Sequence, residues 1–312
     1  MGRISTNGVS MTISAVVPAT NLPATLERCR AALAGGDVAP DEIVVVDGPA
    51  DANPARARNL GAARARSDVV LFVDADVEVR PDAVSRIRAR FDDDPSLVAL
   101  FGSYDDAPAA PGVVSAFRNL LHHHVHQTAP GPAATFWTGL GAVRRENFLD
   151  VGGFDESISF MEDVDLGMRL AAAGCRIVLD PRIQGTHLKH WTVWSMVRTD
   201  FIARGVPWVR ILLRHRSSTT ALNLGWRYRL SAVAAVTGSF AVAFRRPFVA
   251  LGAAASLVAL NRPFYALILR RRGPTETAAG VVLHMLHHLA SVLSVPVGLF
   301  LHLRDSRRAR RA

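Results

Sequence analysis

The chain has 312 residues, a formal net charge of +9 and an isoelectric point near 10.9, which allow one large or two smaller domains and point to acidic partners. Hydrophobic residues make up 49% and mean hydropathy is +0.18, high for a wholly soluble enzyme; the apolar stretches beside arginine clusters favour anionic lipid over nucleic acid. Two cysteines, Cys29 and Cys175, have no metal-ligand spacing and form no disulfide framework, so a reducing compartment is expected.

The N-terminal MGRISTNGVSMTISAVVPAT has no long apolar core ahead of a small-residue cleavage site, and no signal peptide is expected. TISAVVPA (12–19) then reads as a short buried strand and LPATLERCRAALA (22–34) as a helix. EIVVVD (42–47) is a second strand, followed by a helical PARARNLGAARA (54–65). DVVLFVDAD is a third strand, PDAVSRIRARF (81–91) a helix opened by proline, and LVALFGSY (97–104) a fourth strand. Continuous apolar strands separated by helices predict a mostly parallel α/β sheet covered on both faces, with ligands bound beyond the carboxyl ends of the strands.

Three carboxylates fall on that edge. Asp47 ends the second strand, and Asp74 and Asp76 end the third. A lone aspartate at a strand end is ordinarily a cap or turn residue. Two of them at i and i+2 share a side if the chain stays extended and repel unless a cation lies between them. Oxygen ligands suit Mg²⁺ or Mn²⁺, which take one or two protein carboxylates and complete their shell with substrate phosphates. A divalent metal holding a diphosphate is the expected ligand.

The ordered set AVVPATN (15–21), VVVDG (44–48), ARARNLGAARA (55–65), VDAD (73–76), TGLGAVRRENFLDVGGFDE (138–156) and EDVDLGMRLAAAG (162–174) resembles the family-2 glycosyltransferases, over roughly residues 12–208. The resemblance implies a GT-A fold, a nucleotide-diphosphate sugar donor, a divalent metal and inverting transfer. It places Asp47 and Arg58 near the nucleotide, Asp76 as the main metal contact and Asp74 on the ribose or the metal. Pro18, Gly139 and Glu162 fall among its substrate-binding positions. Asp163 becomes the general base that takes the acceptor proton opposite the leaving diphosphate. Its ordinary alternative is a helix-terminal acid complementing the dipole. In GTHLKHW (185–191), His187 is the expected further metal ligand, with His190 its rival, and Lys189 and Arg204 are candidates for neutralising phosphate.

The chain departs from the family pattern in places. Thr20 stands where many relatives carry an aromatic residue, and the second strand ends in one acid followed by Gly48–Pro49. RGVPW (204–208) lacks the Gln-x-x-Arg-Trp spelling of processive synthases, so a single transfer is expected. HHHVH (122–126) reads as surface or acceptor-lining residues of a helix, since consecutive histidines face different directions. His284, His287 and His288 share a helical face, as lipid-phosphate contacts or as residues among the headgroups.

From Thr192 to Arg216 aromatic and aliphatic residues interleave with arginines, as in an interfacial helix. Apolar stretches follow at 230–244, 248–269 and 278–303. The last two approach the roughly 20 residues needed to span, so two crossings are expected, with Pro263 kinking the first and the basic tail staying in the cytoplasm. The expected division is a catalytic domain over 1–191, an amphipathic segment over 192–229 and a membrane-associated helical region over 230–312. The expected partners are a nucleotide-diphosphate sugar, a lipid or glycan acceptor and membrane lipids, with no nucleic acid. A sugar nucleotidyltransferase is the competing enzyme, although VVPATNLPATL has no glycine-rich phosphate loop. A basic membrane scaffold is the non-catalytic alternative.

Overall fold

A computed structural model describes residues 10–49, 52–215 and 225–309; Arg310 and Arg311 of the basic tail and the first nine residues lie outside this range. The chain divides into two compact units, Met1–Ser103 with Pro130–Gly185, and Tyr104–Ala129 with Thr186–Ala312. The segment Tyr104–Ala129 thus groups with the C-terminal region.

The first unit is an α/β sheet flanked by helices. In chain order its elements are β1 (Ile13–Pro18), α1 (Leu26–Ala34), β2 (Glu42–Val46), α2 (Pro54–Arg64), β3 (Val69–Val73), β4 (Val77–Val79), α3 (Ala83–Asp93) and β5 (Leu97–Tyr104). After α4 (Val113–Gln127), which belongs to the second unit, come β6 (Gly131–Ala133), β7 (Leu140–Arg144), α5 (Arg145–Asp150), α6 (Glu162–Ala172) and β8 (Arg176–His187). The strand order is β2-β1-β3-β7-β5-β8-β4, with β6 paired to β8.

The four strands predicted from the apolar runs are present and run the same way. β1 pairs in parallel with β2 and β3. β7 is antiparallel to both β3 and β5, so β5 is codirectional with β3. The sheet is therefore mixed, because LGAVR inserts between two parallel neighbours and reverses the direction there. Its residues are as apolar as the rest of the core, and nothing in their composition encodes direction. β3 is buried throughout, and Phe72 packs edge-on against Phe154 at 5.1 Å and beside Phe148 at 5.5 Å. α2 starts at Pro54 with Asn53 as its cap, the Asn53 side chain accepting from the Arg56 amide at 2.9 Å, which satisfies an otherwise orphaned donor. Gly61 on α2 lies against Val16; a Cβ there would come within 2.2 Å of a Val16 methyl, so the helix sits directly on β1.

The second unit is helical. α4 is joined by α7 (Val193–Arg198), a π-helical segment over Thr199–Gly205, α8 (Val206–Arg214), α9 (Trp226–Ala243), α10 (Pro247–Leu260) and α11 (Arg262–Ala309). Its core contains Phe117, Leu120 and Leu121 of α4, Trp191, Met196, and Phe264, Tyr265, Leu267, Ile268 and Leu283 of α11.

This arrangement corrects several expectations. The stretch 248–269 is not one helix, since α10 ends at Leu260 and α11 begins at Arg262. Pro263 does not kink a span but occupies the first turn of α11, where its missing N–H costs nothing. The break lies at Gly273, whose φ of 82° is glycine's territory. Among the described residues one helix, Arg262–Arg308, is long and apolar enough to cross a membrane, and α10 is a shorter apolar helix. The first part of α11 is covered by α4, so part of the apolar excess is core. His124 and His126 are buried rather than on the surface, and His122 and His126 stack at 4.0 Å. His284 and His288 are buried too and do not lie among headgroups. Their helical face turns towards Tyr265, whose hydroxyl pairs with His284 Nδ1 at 2.9 Å. His287 on the same face meets Asp200 at 2.9 Å.

Candidate active site

The parallel register brings the ends of three strands together. Pro18 pairs with Val46, so Pro18 and Asp47 lie at the same edge, with Pro18 half-buried and Asp47 exposed. β3 ends beside them at Val73. Asp74–Val77 is a tight turn closed by the Val77 amide donating to the Asp74 carbonyl at 2.9 Å, not an extended continuation of the strand. Ala75 faces inward there, only 6% exposed, and the side chains of Asp74 and Asp76 are left half-buried. The two carboxylates thus project from one turn, by a different geometry from the strand alternation expected.

The reversed direction of β7 completes the site. Val73 pairs with Leu140, which puts Gly139 opposite Asp74, and the Asp74 amide donates to the Gly139 carbonyl at 3.3 Å. Gly139 is buried, and the Trp137 indole occupies the space where its Cβ would stand, 2.2 Å away. Thr138, one residue earlier, donates from its amide to Asp163 Oδ2 at 3.3 Å. The chain TGLG therefore connects the aspartate turn to the acids that open α6.

A second connection runs through Arg58. Only 6% exposed, its guanidinium donates to Asp74 Oδ1 at 2.7 Å and to Glu162 Oε1. Burial alone would lower the Arg58 pKa, but Asp74 and Glu162 outweigh it and hold the group above its ordinary value. Glu162 is pushed up, by burial first and by Asp163 beside it, against the pull of Arg58. Asp163 is raised as well by its burial, opposed by Arg58 and by the amides of Thr138 and Val164. These acids stand in the first turn of α6, where the helix dipole favours negative charge. Asp165 faces elsewhere and pairs with Arg169 at 2.8 Å. Arg169 also donates to the carbonyls of Val151 and Gly153.

Four contributors escape the sequence reading. Asn59 donates to the Phe154 carbonyl and accepts from the Phe154 amide, both at 2.9 Å, pinning the GGFDE loop to α2. Gly153 in that loop has φ of 66° and would place a Cβ 2.8 Å from Asn59 Oδ1. Thr138 lies inside its motif, yet nothing in the sequence gives it a role. Cys29 of α1 lies beneath the aspartate turn, its Sγ 3.6 Å from the Asp74 carbonyl oxygen. Burial, with Asp74 and Asp76 nearby, pushes its pKa up to about 12. The one signal for these is that Asn59, Thr138 and Gly153 fall within the ordered motif set; Cys29 has none.

His187 belongs to the second unit, where it is buried and stacks on Tyr104 with ring centres 4.2 Å apart. His190 is exposed. Lys189 places its ammonium 4.5 Å from the Trp191 ring centre, and Arg118 lies over the same indole at 5.3 Å. Arg204 is exposed at the end of the π-helical segment. Among the described residues no three His, Cys, Asp or Glu side chains are grouped to hold a metal ion. The donor chemistry of the Asp74–Asp76 turn, two half-buried carboxylates, suits a hard divalent cation whose remaining ligands are phosphate oxygens and water.

Residues 49–149 match the family model described as "Glycosyl transferase family 2". The chain is 28% identical over 190 residues to the "Pre-mycofactocin glycosyltransferase" of Mycobacterium tuberculosis, in strains CDC 1551 / Oshkosh and H37Rv, covering 58% of this chain and 39% of each relative. It thus spans well under half the length of these curated relatives. Among solved structures it is similar in fold to a mannosyltransferase from Pyrobaculum calidifontis in complex with GDP-Man and Mn²⁺, with a TM-score of 0.54, 15% identity, and coverage of 92% of this chain and 87% of that one. With its mixed sheet, its aspartate turn at the strand ends and this match, residues 49–149 are similar to a glycosyl transferase family 2 domain, within an α/β sheet flanked by helices like that of GT-A glycosyltransferases.

Proposed function

We propose that the chain is a metal-dependent, inverting glycosyltransferase that moves a sugar from a nucleotide-diphosphate sugar to an acceptor hydroxyl or lipid phosphate at the cytoplasmic face of a membrane. The observation that carries this reading is the convergence of Asp74, Gly139, Thr138, Glu162 and Asp163 at one sheet edge, tied by Arg58 and by the Thr138–Asp163 hydrogen bond.

In this reading Pro18 and Asp47 border the nucleotide at the ends of β1 and β2. Asp76 and Asp74 hold Mg²⁺ or Mn²⁺, and His187 remains the candidate third ligand. When bound, that metal supplies charge stabilisation for the leaving diphosphate. Arg58 acts through Asp74 and Glu162, orienting both without leaving its buried position. Asp163 takes the proton of the acceptor, its orientation fixed by the Thr138 and Val164 amides. The raised pKa brings its basicity nearer to the working pH, which favours general-base catalysis. The GDP-Man and Mn²⁺ bound by the Pyrobaculum mannosyltransferase support a nucleotide-sugar donor and a divalent metal, without selecting the sugar or the acceptor. The one long apolar helix and the apolar surface of α9 and α10 support membrane association.

Calorimetry of the full chain with a panel of UDP- and GDP-sugars, with and without Mn²⁺, tests the proposal. Binding of one donor only when metal is present is expected. A chain that binds no nucleotide sugar under any condition is a scaffold and not a transferase.

A further inference from the structure

α9 and α10 form an antiparallel hairpin. Asn261 Nδ2 donates to Ser231 Oγ at 2.8 Å, and at mid-length Gly238 lies against Ala253, where an added Cβ would meet the alanine methyl at 3.4 Å. Small residues let the helices approach at that point. A groove of about 850 Å³ opens between them, walled by Leu230, Val233, Thr237, Val249, Gly252 and Ser256 among others.

Among the described residues, the outer faces of both helices are apolar and exposed. Phe240 and Phe244, at the end of α9, are 60% and 70% exposed, and Phe248 and Leu251 on α10 are 87% and 70% exposed. α10 buries only Ala253 and Leu257 and carries no charged residue. Such a surface is not stable in water over this length. Its ends carry the opposite character. Arg245 and Arg246 sit at the tip, Arg227 and Arg229 at the start of α9, and Arg262 just after α10. Among the described residues no ion-pair partner is present for Arg245, Arg246 or Arg262. At 14 residues and 1.5 Å per residue α10 reaches about 21 Å, short of a hydrocarbon core of roughly 30 Å. A perpendicular hairpin of that reach would leave Arg245 and Arg246 inside hydrocarbon. Lying in the interface, it keeps its aromatic face among acyl chains and both arginine ends at headgroup depth.

We propose that the α9–α10 hairpin lies within one leaflet of an anionic bilayer and seats one acyl chain of an anionic phospholipid in its inter-helix groove, with the arginines at its ends on the phosphates. This rests on the membrane-facing part of the functional proposal and adds to it a lipid site and an orientation. Gly252 supplies the handle for a test, because it lines the groove and a Cβ added there meets nothing within 4 Å.

The full chain is reconstituted in phosphatidylcholine vesicles containing phosphatidylglycerol with a photoactivatable group in its acyl chain. Illumination should attach the lipid to peptides within 226–260. Gly252→Leu should lower that yield at least threefold, and Arg245→Gln with Arg246→Gln and Arg262→Gln should remove the preference over the same probe on phosphatidylcholine. Equal labelling in Gly252→Leu, or equal labelling by the two lipids in the unaltered chain, overturns the site. For orientation, a cysteine placed by Ala243→Cys, in a chain with Cys29→Ala and Cys175→Ala, should react with an impermeant maleimide added on the side of the catalytic domain. Reaction only after the vesicles are opened means a crossing hairpin and overturns the proposal. Metal-dependent nucleotide-sugar binding is read on the same samples. Its loss alone counts against the enzyme assignment, whereas altered lipid labelling with donor binding intact concerns the hairpin only.

Discussion

Arg58 of α2 and Glu162, the first residue of α6, form a buried ion pair across 104 residues of sequence, each side chain less than a tenth exposed. The same guanidinium holds Asp74 at 2.7 Å, so one cation serves two acids that belong to different motifs. Removing a single member of such a buried group leaves a charge without compensation, which costs far more than the pair contributes.

Arg58→Met is therefore expected to destabilise the first unit by about 3–5 kcal/mol, read as a lowered midpoint in urea. Arg58→Met combined with Glu162→Met should recover much of that loss, because the more deeply buried of the two acids is then gone along with its cation. Donor binding should stay weak in the double variant, since Asp74 has lost its orienting partner. A double variant as unstable as the single one removes the electrostatic explanation.

The Asn59 side chain replaces a backbone partner for Phe154 in both directions. Asn59→Ala leaves that amide and carbonyl without their partner, at about 1–3 kcal/mol. The effect should concentrate in residues 152–156, so hydrogen exchange there should accelerate while β1 and β3 keep their protection. Uniform acceleration across the sheet would mean that the asparagine matters for folding as a whole and not for this loop.

The parallel strands, the helices after them and the position of Asp74 and Asp76 at the end of a core strand were legible in sequence because apolar runs and acids at strand ends are local signals. The reversal at β7 was not, since Leu140–Arg144 has the composition of any buried strand and its direction depends on partners far along the chain. That reversal is what brings Gly139 and Thr138 to the aspartate turn. In the C-terminal region hydropathy alone could not separate the face of α11 that packs on α4 from the exposed apolar faces of α9 and α10. Arg58 was placed in the site by its motif, but its partners became visible only when α2, β3 and α6 were assembled.

Cys29 looks like a reactive thiol by position, beside a candidate metal turn. Its pKa is nevertheless pushed up to about 12, by burial first and then by Asp74 and Asp76. Only the thiolate reacts, so iodoacetamide at neutral pH should leave Cys29 unmodified under conditions that alkylate the half-buried Cys175. Rapid labelling of Cys29 in the native chain would show that α1 does not seal the underside of the turn.

Asp76 projects its half-buried carboxylate from the same turn as Asp74. Asp76→Asn keeps the shape and removes the negative charge that a divalent cation needs. Metal-dependent donor binding should be lost while the circular-dichroism spectrum of the fold is kept. Unchanged nucleotide-sugar affinity in Mn²⁺ would sink the assignment of Asp76 to the metal.

Asp163 makes the most demanding prediction, because its role is chemical and its environment is shared with Glu162. Asp163→Asn retains the amide contacts but cannot accept a proton, so turnover should fall by roughly a hundredfold or more with donor affinity nearly kept. The pH profile carries the sign. A general base works deprotonated, so activity rises as pH rises through its pKa. Burial raises that pKa in Asp163, while Arg58 and the amides of Thr138 and Val164 oppose the rise without cancelling it. The acid limb of kcat should therefore lie above the ordinary carboxylate range of about 4, and the residual activity of Asp163→Asn should lack it. A limb that persists unchanged in Asp163→Asn would transfer the proton-accepting role to Glu162, the other acid whose pKa is raised at this end of α6.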